Sequence, residues 1–446
     1  MTAPRRTVPE EVDVLGAGFG PAGIALACAV EDLAEASGGP PLGRVRFLER
    51  ATEVAWHPGM LLRETDIQHH FLRDLATPRS PRSRFTFVNY LHEHGRLYEF
   101  GELLLGAAGG AVSRLEWSDY LRWAAGQLAG YVRYGTEVVA VRPLGRDRVA
   151  VETSDGTVAA RALVLSSGRA PHVPPELAAL AGPTAFHSSA FLTAVDGLDR
   201  DAALRFAVVG SGESAVEVLA HLHATFPRAR LVSVHRTLGF RHVDLCQFSN
   251  EVFHPGFVDR FHALGPAARR AVLAEARPTN FGVVDAQAAD VLYRRLYEDL
   301  VVGVRRVDVL TSRRVVGAST VAGTHRLVLE HLHTGEREEV AADVVVLCTG
   351  YREDVFPAAL APLADLVVTD EDGGPVVGRD YRVATTGGLD APVYLCGTSE
   401  RTHGPSDGAS FSMVALRAGT VLDSLLTRLG RRSPAPRGGS AARPAS

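Results

Sequence analysis

Apolar residues along this chain switch repeatedly between short runs and helical spacing, and the switches fall at glycine-rich turns. Val12, Val14 and Leu15 form a strand-like run that leads through Gly18-Phe19-Gly20-Pro21-Ala22-Gly23 into a helical stretch over residues 24–33. The same pattern returns almost two hundred residues later. There Phe206, Ala207, Val208 and Val209 run into Gly210-Ser211-Gly212-Glu213-Ser214-Ala215 and a helical stretch over 216–224. Further strand signals lie at 44–48, 131–141, 149–151, 162–165, 231–234 and 342–347. Strands alternating with helices predict an α/β fold containing parallel sheet.

Each turn has the form G-x-G-x-x-G/A between a strand and a helix, the dinucleotide-binding context. In the first, Gly18 permits the tight turn, Gly20 lets backbone approach a pyrophosphate, and Gly23 lets helix pack on strand, with Pro21 inside the same loop. Gly210, Gly212 and Ala215 repeat that division, and Ser211 and Ser214 flank the second phosphate position. The pyrophosphate then meets the positive end of a helix. The strand at 44–48 ends at Glu49, placed for the hydroxyls of an unphosphorylated ribose, as in FAD. The strand at 231–234 ends at His235-Arg236 with no acid, and Arg236 there favours a 2′-phosphate, hence NADPH.

At 446 residues, with 46% hydrophobic and 22% charged, the chain is globular in composition and long enough for two or three domains of roughly 100 to 200 residues each. The balance of 47 basic and 51 acidic residues gives a net charge of −4, which supplies no field for nucleic acid or anionic lipid. Cys28, Cys246, Cys348 and Cys396 are scattered without C-x-x-C spacing, which suggests neither disulfide framework nor zinc site and fits a reducing cytoplasm. No histidine cluster has metal-ligand spacing. The longest uncharged run, residues 14–30, is too rich in glycine for a membrane span. Residues 1–11 and 429–446 read as disordered tails.

Two dinucleotide sites could serve a disulfide reductase, a dehydrogenase or a flavin monooxygenase, and the missing C-x-x-C argues against the first. The stretch from Trp56 to Phe100 carries Trp56-His57-Pro58-Gly59-Met60, then Gln68-His69-His70-Phe71-Leu72-Arg73-Asp74-Leu75, then Phe85-Thr86-Phe87-Val88-Asn89-Tyr90-Leu91. These segments closely resemble, in order, those of the ornithine and lysine N-hydroxylases, class B flavoprotein monooxygenases of siderophore biosynthesis. Phe186-His187-Ser188-Ser189, Asn250-Glu251-Val252-Phe253-His254-Pro255, Thr279-Asn280-Phe281, Cys348-Thr349-Gly350-Tyr351 and His403-Gly404-Pro405-Ser406-Asp407 extend the resemblance over residues 12–425.

The resemblance implies two Rossmann-like domains, with the NADPH domain (196–335) inserted into an FAD domain (12–195 and 336–428) and a small helical substrate-binding region at about 242–300. It implies NADPH reducing FAD, O2 adding to give a C4a-hydroperoxyflavin, and an uncharged amine taking the distal oxygen, with a homo-oligomer as the usual assembly. Gln68 resembles the glutamine beside flavin and hydroperoxide, and Asn250 and Asn280 resemble substrate contacts. Trp56 and His57 could contact flavin or simply pack. Ser410 stands in the segment that follows the H-G-x-x-D motif, where Gly408-Ala409-Ser410-Phe411-Ser412 replaces the family's leucine-rich stretch, and the resemblance implies that it contacts FAD.

Arg73 stands where the family has a lysine that pairs the substrate carboxylate. Arginine keeps the charge but binds carboxylate bidentately. With His69 and His70 as further potential cations, the expected substrate is a short acidic amino acid such as aspartate, oxidised even to a nitroso product in secondary metabolism. The alternative is N5-hydroxylation of ornithine or N6-hydroxylation of lysine. Rivals of other classes are a flavin monooxygenase acting on ketones or sulfides and a non-catalytic flavin-binding scaffold.

Overall fold

A computed structural model of the chain describes residues 10–105, 111–180, 182–408 and 410–431, and the backbone but not the side chain of Asn280. Both expected tails lie mostly outside the described residues. The exception at the start is a correction: Glu10 and Glu11 already belong to the first strand, paired with Val158 and Ala159.

The first sheet is built on the strand Glu10–Ala17, which lies between parallel neighbours Val45–Leu48 and Gly156–Leu165. Strand Val132–Arg133 extends it on one side, and an antiparallel pair, Val138–Pro143 and Val149–Thr153, on the other. The long strand Gly156–Leu165 also takes Val393–Leu395 in parallel along its last residues. Helix Pro21–Ser37 covers one face, with Ile24 to Val30 buried. Its companion is Val414–Arg428, whose Val414, Ala418, Val421 and Leu425 recur at helical spacing and join the same core.

The second sheet is wholly parallel, in the order Val307–Leu310, Arg230–Val234, Arg205–Val209, Val344–Leu347, Ala185–His187. Two of its central strands carry unbroken apolar runs, over 206–209 and Val344–Leu347, as parallel strands covered on both faces require. This pairing moves the expected boundaries. The second sheet takes its strands from 185–187 and 344–347, beyond the limits of 196 and 335 read from the sequence, and the chain returns to the first sheet only at Val393–Leu395. A buried run such as Val344-Val345-Val346-Leu347 fits the middle of any parallel sheet, so its pattern does not say which one.

The helical region divides as well. Pro255–His262 and Pro266–Asn280 are the inserted helices, whereas Ala286–Val301 is the crossover helix of the second sheet, with Leu292 in that sheet's core. Three antiparallel strands, Arg313–Val321, Thr324–His331 and Arg337–Ala342, complete the second unit. Among the described residues no helix is long and apolar enough to cross a membrane.

Candidate active site

A cleft of about 1390 Å³ runs between the two units and is lined by both glycine turns. In the first turn the glycines have separate steric reasons. Gly18 has φ +98°, and a Cβ there would lie 2.4 Å from the Ser166 carbonyl oxygen; a Cβ at Gly23 would lie 2.4 Å from the Gly18 oxygen. Around Gly20 a Cβ would meet nothing within 4 Å, so the space before the helix N-terminus is open. That is the shape a pyrophosphate needs. Glu49 closes the end of this turn, accepting the Phe19 N–H at 2.7 Å and the Ala51 N–H at 2.9 Å. Gly18, Gly20, Pro21 and Glu49 all line the cleft, whereas Gly23 is packed behind them.

Among the described residues, two buried polar atoms beside this turn are without a hydrogen-bond partner: Ser166 Oγ and Arg417 Nε. Both residues line the cleft. A buried donor without an acceptor costs about 1–3 kcal/mol, and the ribityl or phosphate oxygens of FAD are acceptors of the kind these atoms lack. The residues present therefore fit that cofactor.

The second turn repeats the arrangement. Gly210 has φ +141°, with a Cβ there reaching 2.1 Å from the Cys348 carbonyl oxygen, and Gly210, Ser211, Gly212 and Ser214 line the cleft. Arg236 faces the same space from the end of Arg230–Val234. Among the described residues its guanidinium has no hydrogen-bond or ion-pair partner, while neighbouring Arg313 and Arg314 are held by Glu338 and Glu330. A free cation at this strand end suits a 2′-phosphate. Arg236→Ala is expected to weaken NADPH about tenfold or more while sparing NADH, because hydrogen bonds to a charged group contribute about 1.5–3 kcal/mol. Titration of both nucleotides checks it; equal losses would make Arg236 structural.

Between the turns stand Trp56, His57, Gln68, Ser410 and Phe411. Trp56 and Phe411 meet edge to face at 5.9 Å, and His57 packs against Trp56 at 4.8 Å. Gln68 is exposed, and its Nε2 donates to Glu213 Oε2 at 3.0 Å, across to the second turn. One helical turn beyond Glu213, Glu217 takes both terminal nitrogens of Arg114, at 2.7 Å each. Burial pushes the Glu217 carboxyl up, against the pull of Arg114.

The residues expected to hold substrate do not line the cleft itself, and three of them can be placed. Arg73 Nη1 donates to Ser412 Oγ at 2.9 Å, and its guanidinium lies 6.0 Å from the Phe253 ring centre. Ser410 Oγ donates to the same Ser412 oxygen at 2.8 Å. Phe253 ends the turn Ser249–Phe253 that carries Asn250, whose Nδ2, among the described residues, makes only a long contact, 3.4 Å, with the Asp244 carbonyl. Asn280 ends helix Pro266–Asn280, and its side chain lies outside the described residues.

His69 corrects an expectation. Its ring stacks on Phe411 at 5.0 Å and meets the edge of Trp117 at 5.0 Å. Burial holds the imidazole at about 4, with the Arg73 charge contributing, so it is neutral at pH 7 and adds no cation. The contact from Nδ1 to the His70 carbonyl, 3.1 Å, needs its proton on Nδ1. His403 is held lower still, at about 2, by burial against Tyr381 and by the nearby His262 charge. Both histidines bind a proton more readily unfolded than folded, since the ordinary value is 6.5. Stability is then full above that pH and falls on acidification toward 4, by up to about 1.4 kcal/mol per pH unit for each group. Denaturant midpoints measured across this window check it; a flat profile would mean that neither ring is held neutral.

Sequence reading missed Ser412, Glu213 and Arg417. Only Arg417 left a signal: it sits on the apolar stripe of its helix, beside Val414, Ala418 and Val421, where a solvated arginine has no place.

Two nucleotide-binding turns opening on one cleft, with aromatic walls between them, define a two-dinucleotide oxidoreductase. Comparison with known proteins narrows the class. A family model described as L-lysine 6-monooxygenase/L-ornithine 5-monooxygenase matches residues 10–353. An L-ornithine N(5)-monooxygenase of Burkholderia cepacia is 37% identical over 409 residues, covering 88% of this chain and 89% of that protein. An ornithine N-hydroxylase of Kutzneria sp. 744, solved with reduced FAD, NADP+ and L-ornithine, superposes with a TM-score of 0.87 at 37% identity, over 94% of this chain and 99% of that one. An L-lysine 6-monooxygenase of Pseudomonas syringae gives a TM-score of 0.84 at 42% identity, with coverage of 94% and 99%. The chain belongs to this family of flavin-dependent N-hydroxylating monooxygenases.

Proposed function

We propose that this protein uses FAD, NADPH and O2 to hydroxylate the side-chain amine of a basic amino acid, L-ornithine at N5 or L-lysine at N6. One observation carries the choice of substrate: Arg73 is the single charged group of the Arg73, Ser410 and Ser412 hydrogen-bonded set, and its neighbour His69 is neutral. The aspartate reading drew on His69 and His70 as further cations for a second carboxylate, and the buried His69 ring, stacked on Phe411, does not serve as one. One guanidinium matches one α-carboxylate, and the relatives named above act on ornithine or lysine, which supports the same reading.

FAD reduced by NADPH supplies the oxygen-activating chemistry. The chain's part is binding and orientation. Gly18, Gly20 and the N-terminus of Pro21–Ser37 receive the FAD pyrophosphate, Glu49 the ribose, and Arg417 and Ser166 further oxygens. Gly210, Ser211, Gly212, Ser214 and Arg236 receive NADPH. Arg73 and Ser412 hold the carboxylate end, leaving the amine end to reach toward Gln68 and the aromatic wall. A free amine of this type has a pKa of about 10.4, so enclosure that disfavours the ammonium is part of the work.

Hydroxylamine formed by FAD-loaded protein with NADPH and O2, across ornithine, lysine, aspartate, glutamate and simple diamines, tests the proposal. Product from ornithine or lysine is expected. Product from aspartate alone would return the second-cation reading, and product from none would remove N-hydroxylation of these amines.

A further inference from the structure

Glu213 occupies an unusual place for a carboxylate. It is the first residue of helix Glu213–Thr225, directly after Gly212, and it lines the cleft where the NADPH pyrophosphate is expected. A carboxylate there opposes a pyrophosphate at the same helix end, and burial pushes the Glu213 carboxyl up. Its geometry shows what it does instead. Oε2 accepts the Asp285 backbone N–H at 2.6 Å and the Gln68 side-chain amide at 3.0 Å. Among the described residues this is the only hydrogen bond of the Gln68 side chain.

Behind it the helix is pinned to the first unit by the Arg114–Glu217 pair, whose side chains are 13% and 4% exposed. Arg114 Nε also donates to the Asp66 carbonyl at 3.1 Å, two residues before Gln68. The backbone leading to Gln68 and the helix carrying Glu213 are therefore held in fixed relation, and the Gln68 amide is the movable group between them.

We propose that Glu213 is a positioning residue: from the NADPH-binding turn it fixes the Gln68 amide in the cleft between the two turns, at the cost of some nucleotide affinity. The proposal rests on the N-hydroxylation reading above. Each NADPH oxidised delivers two electrons to O2. With the amine in place one oxygen atom enters the N–H bond and the other leaves as water; without effective transfer both oxygen atoms leave as hydrogen peroxide. A Gln68 amide that wanders should raise the second outcome.

The test uses Glu213→Gln and Glu213→Ala in the FAD-loaded protein. Two quantities are read: the NADP+ dissociation constant, by calorimetry, and the ratio of hydroxylamine to NADPH consumed. Glu213→Gln keeps an oxygen that accepts from both Asp285 and Gln68 but removes the charge. It should bind NADP+ about two- to fivefold more tightly and keep the parental ratio. Glu213→Ala should lose product per NADPH on the order of tenfold, as small misplacements near reacting atoms do, with a matching rise in peroxide. Gln68→Ala should reproduce that loss without tightening NADP+. An unchanged ratio in Glu213→Ala would overturn the proposal, as would an equal loss in Glu213→Gln. If the parent protein made no hydroxylamine from any amine, the functional reading would fail instead, and the NADP+ titrations would still show whether the Glu213 charge opposes the nucleotide.

Discussion

Arg417→Met is expected to destabilise the protein by about 3–5 kcal/mol, the usual cost of breaking one side of a buried ion pair, and to release FAD. Arg417 and Asp407 are 2% and 0% exposed, and the guanidinium bonds both the Asp407 carboxylate and its backbone carbonyl, the latter at 3.1 Å. Without the arginine, the buried Asp407 carboxyl would lose its ion-pair partner and keep the weaker pull of Arg379 against its desolvation. The paired change Arg417→Met with Asp407→Asn removes both charges and should recover much of the stability. It should not recover the cofactor, because Arg417 lines the cleft and its guanidinium lies beside Gly397. Urea unfolding of apoprotein and flavin absorbance per chain after desalting separate the two effects. Full flavin retention in the double variant would show that Arg417 serves the fold alone.

Arg73→Ala should raise the KM for ornithine or lysine about ten- to hundredfold, the range for losing a charge-assisted hydrogen bond. The rate at which NADPH reduces the flavin in the absence of amine should stay near the parental value, since Arg73 lies outside the cleft lining and, among the described residues, hydrogen-bonds only Ser412. Arg73→Lys should fall between, keeping charge but not the forked geometry. Steady-state KM set beside anaerobic reduction rates gives the comparison. An unchanged KM would assign Arg73 to packing on Phe253.

Both glycine turns were readable because their constraint is local: the first glycine sits at positive φ against the carbonyl of a neighbouring strand, and that demand is written in the residue itself. Glu49 and Arg236 followed from the same local geometry, one strand further on. The helix Val414–Arg428 was equally plain in its apolar spacing, yet the fate of Arg417 on that stripe was not. A helical pattern says that a residue is buried, not which acid meets it ten positions upstream.

The charge of His69 was out of reach for a related reason. An imidazole is cationic or neutral according to what surrounds it, and Phe411 and Trp117 arrive from distant parts of the chain. The same holds for the boundary between the two units, because one buried valine run is as good as another until a sheet accepts it.

By itself the sequence determined the α/β class, two dinucleotide turns and the family, since strand–turn–helix units and ordered motifs depend on neighbours a few residues apart. Only the tertiary structure decided that Gln68 meets Glu213 across 145 positions and Arg73 meets Ser412 across 339. It also left His69 without a charge. Contacts of that span are set by how two sheets and their helices pack, and local periodicity carries no term for that packing.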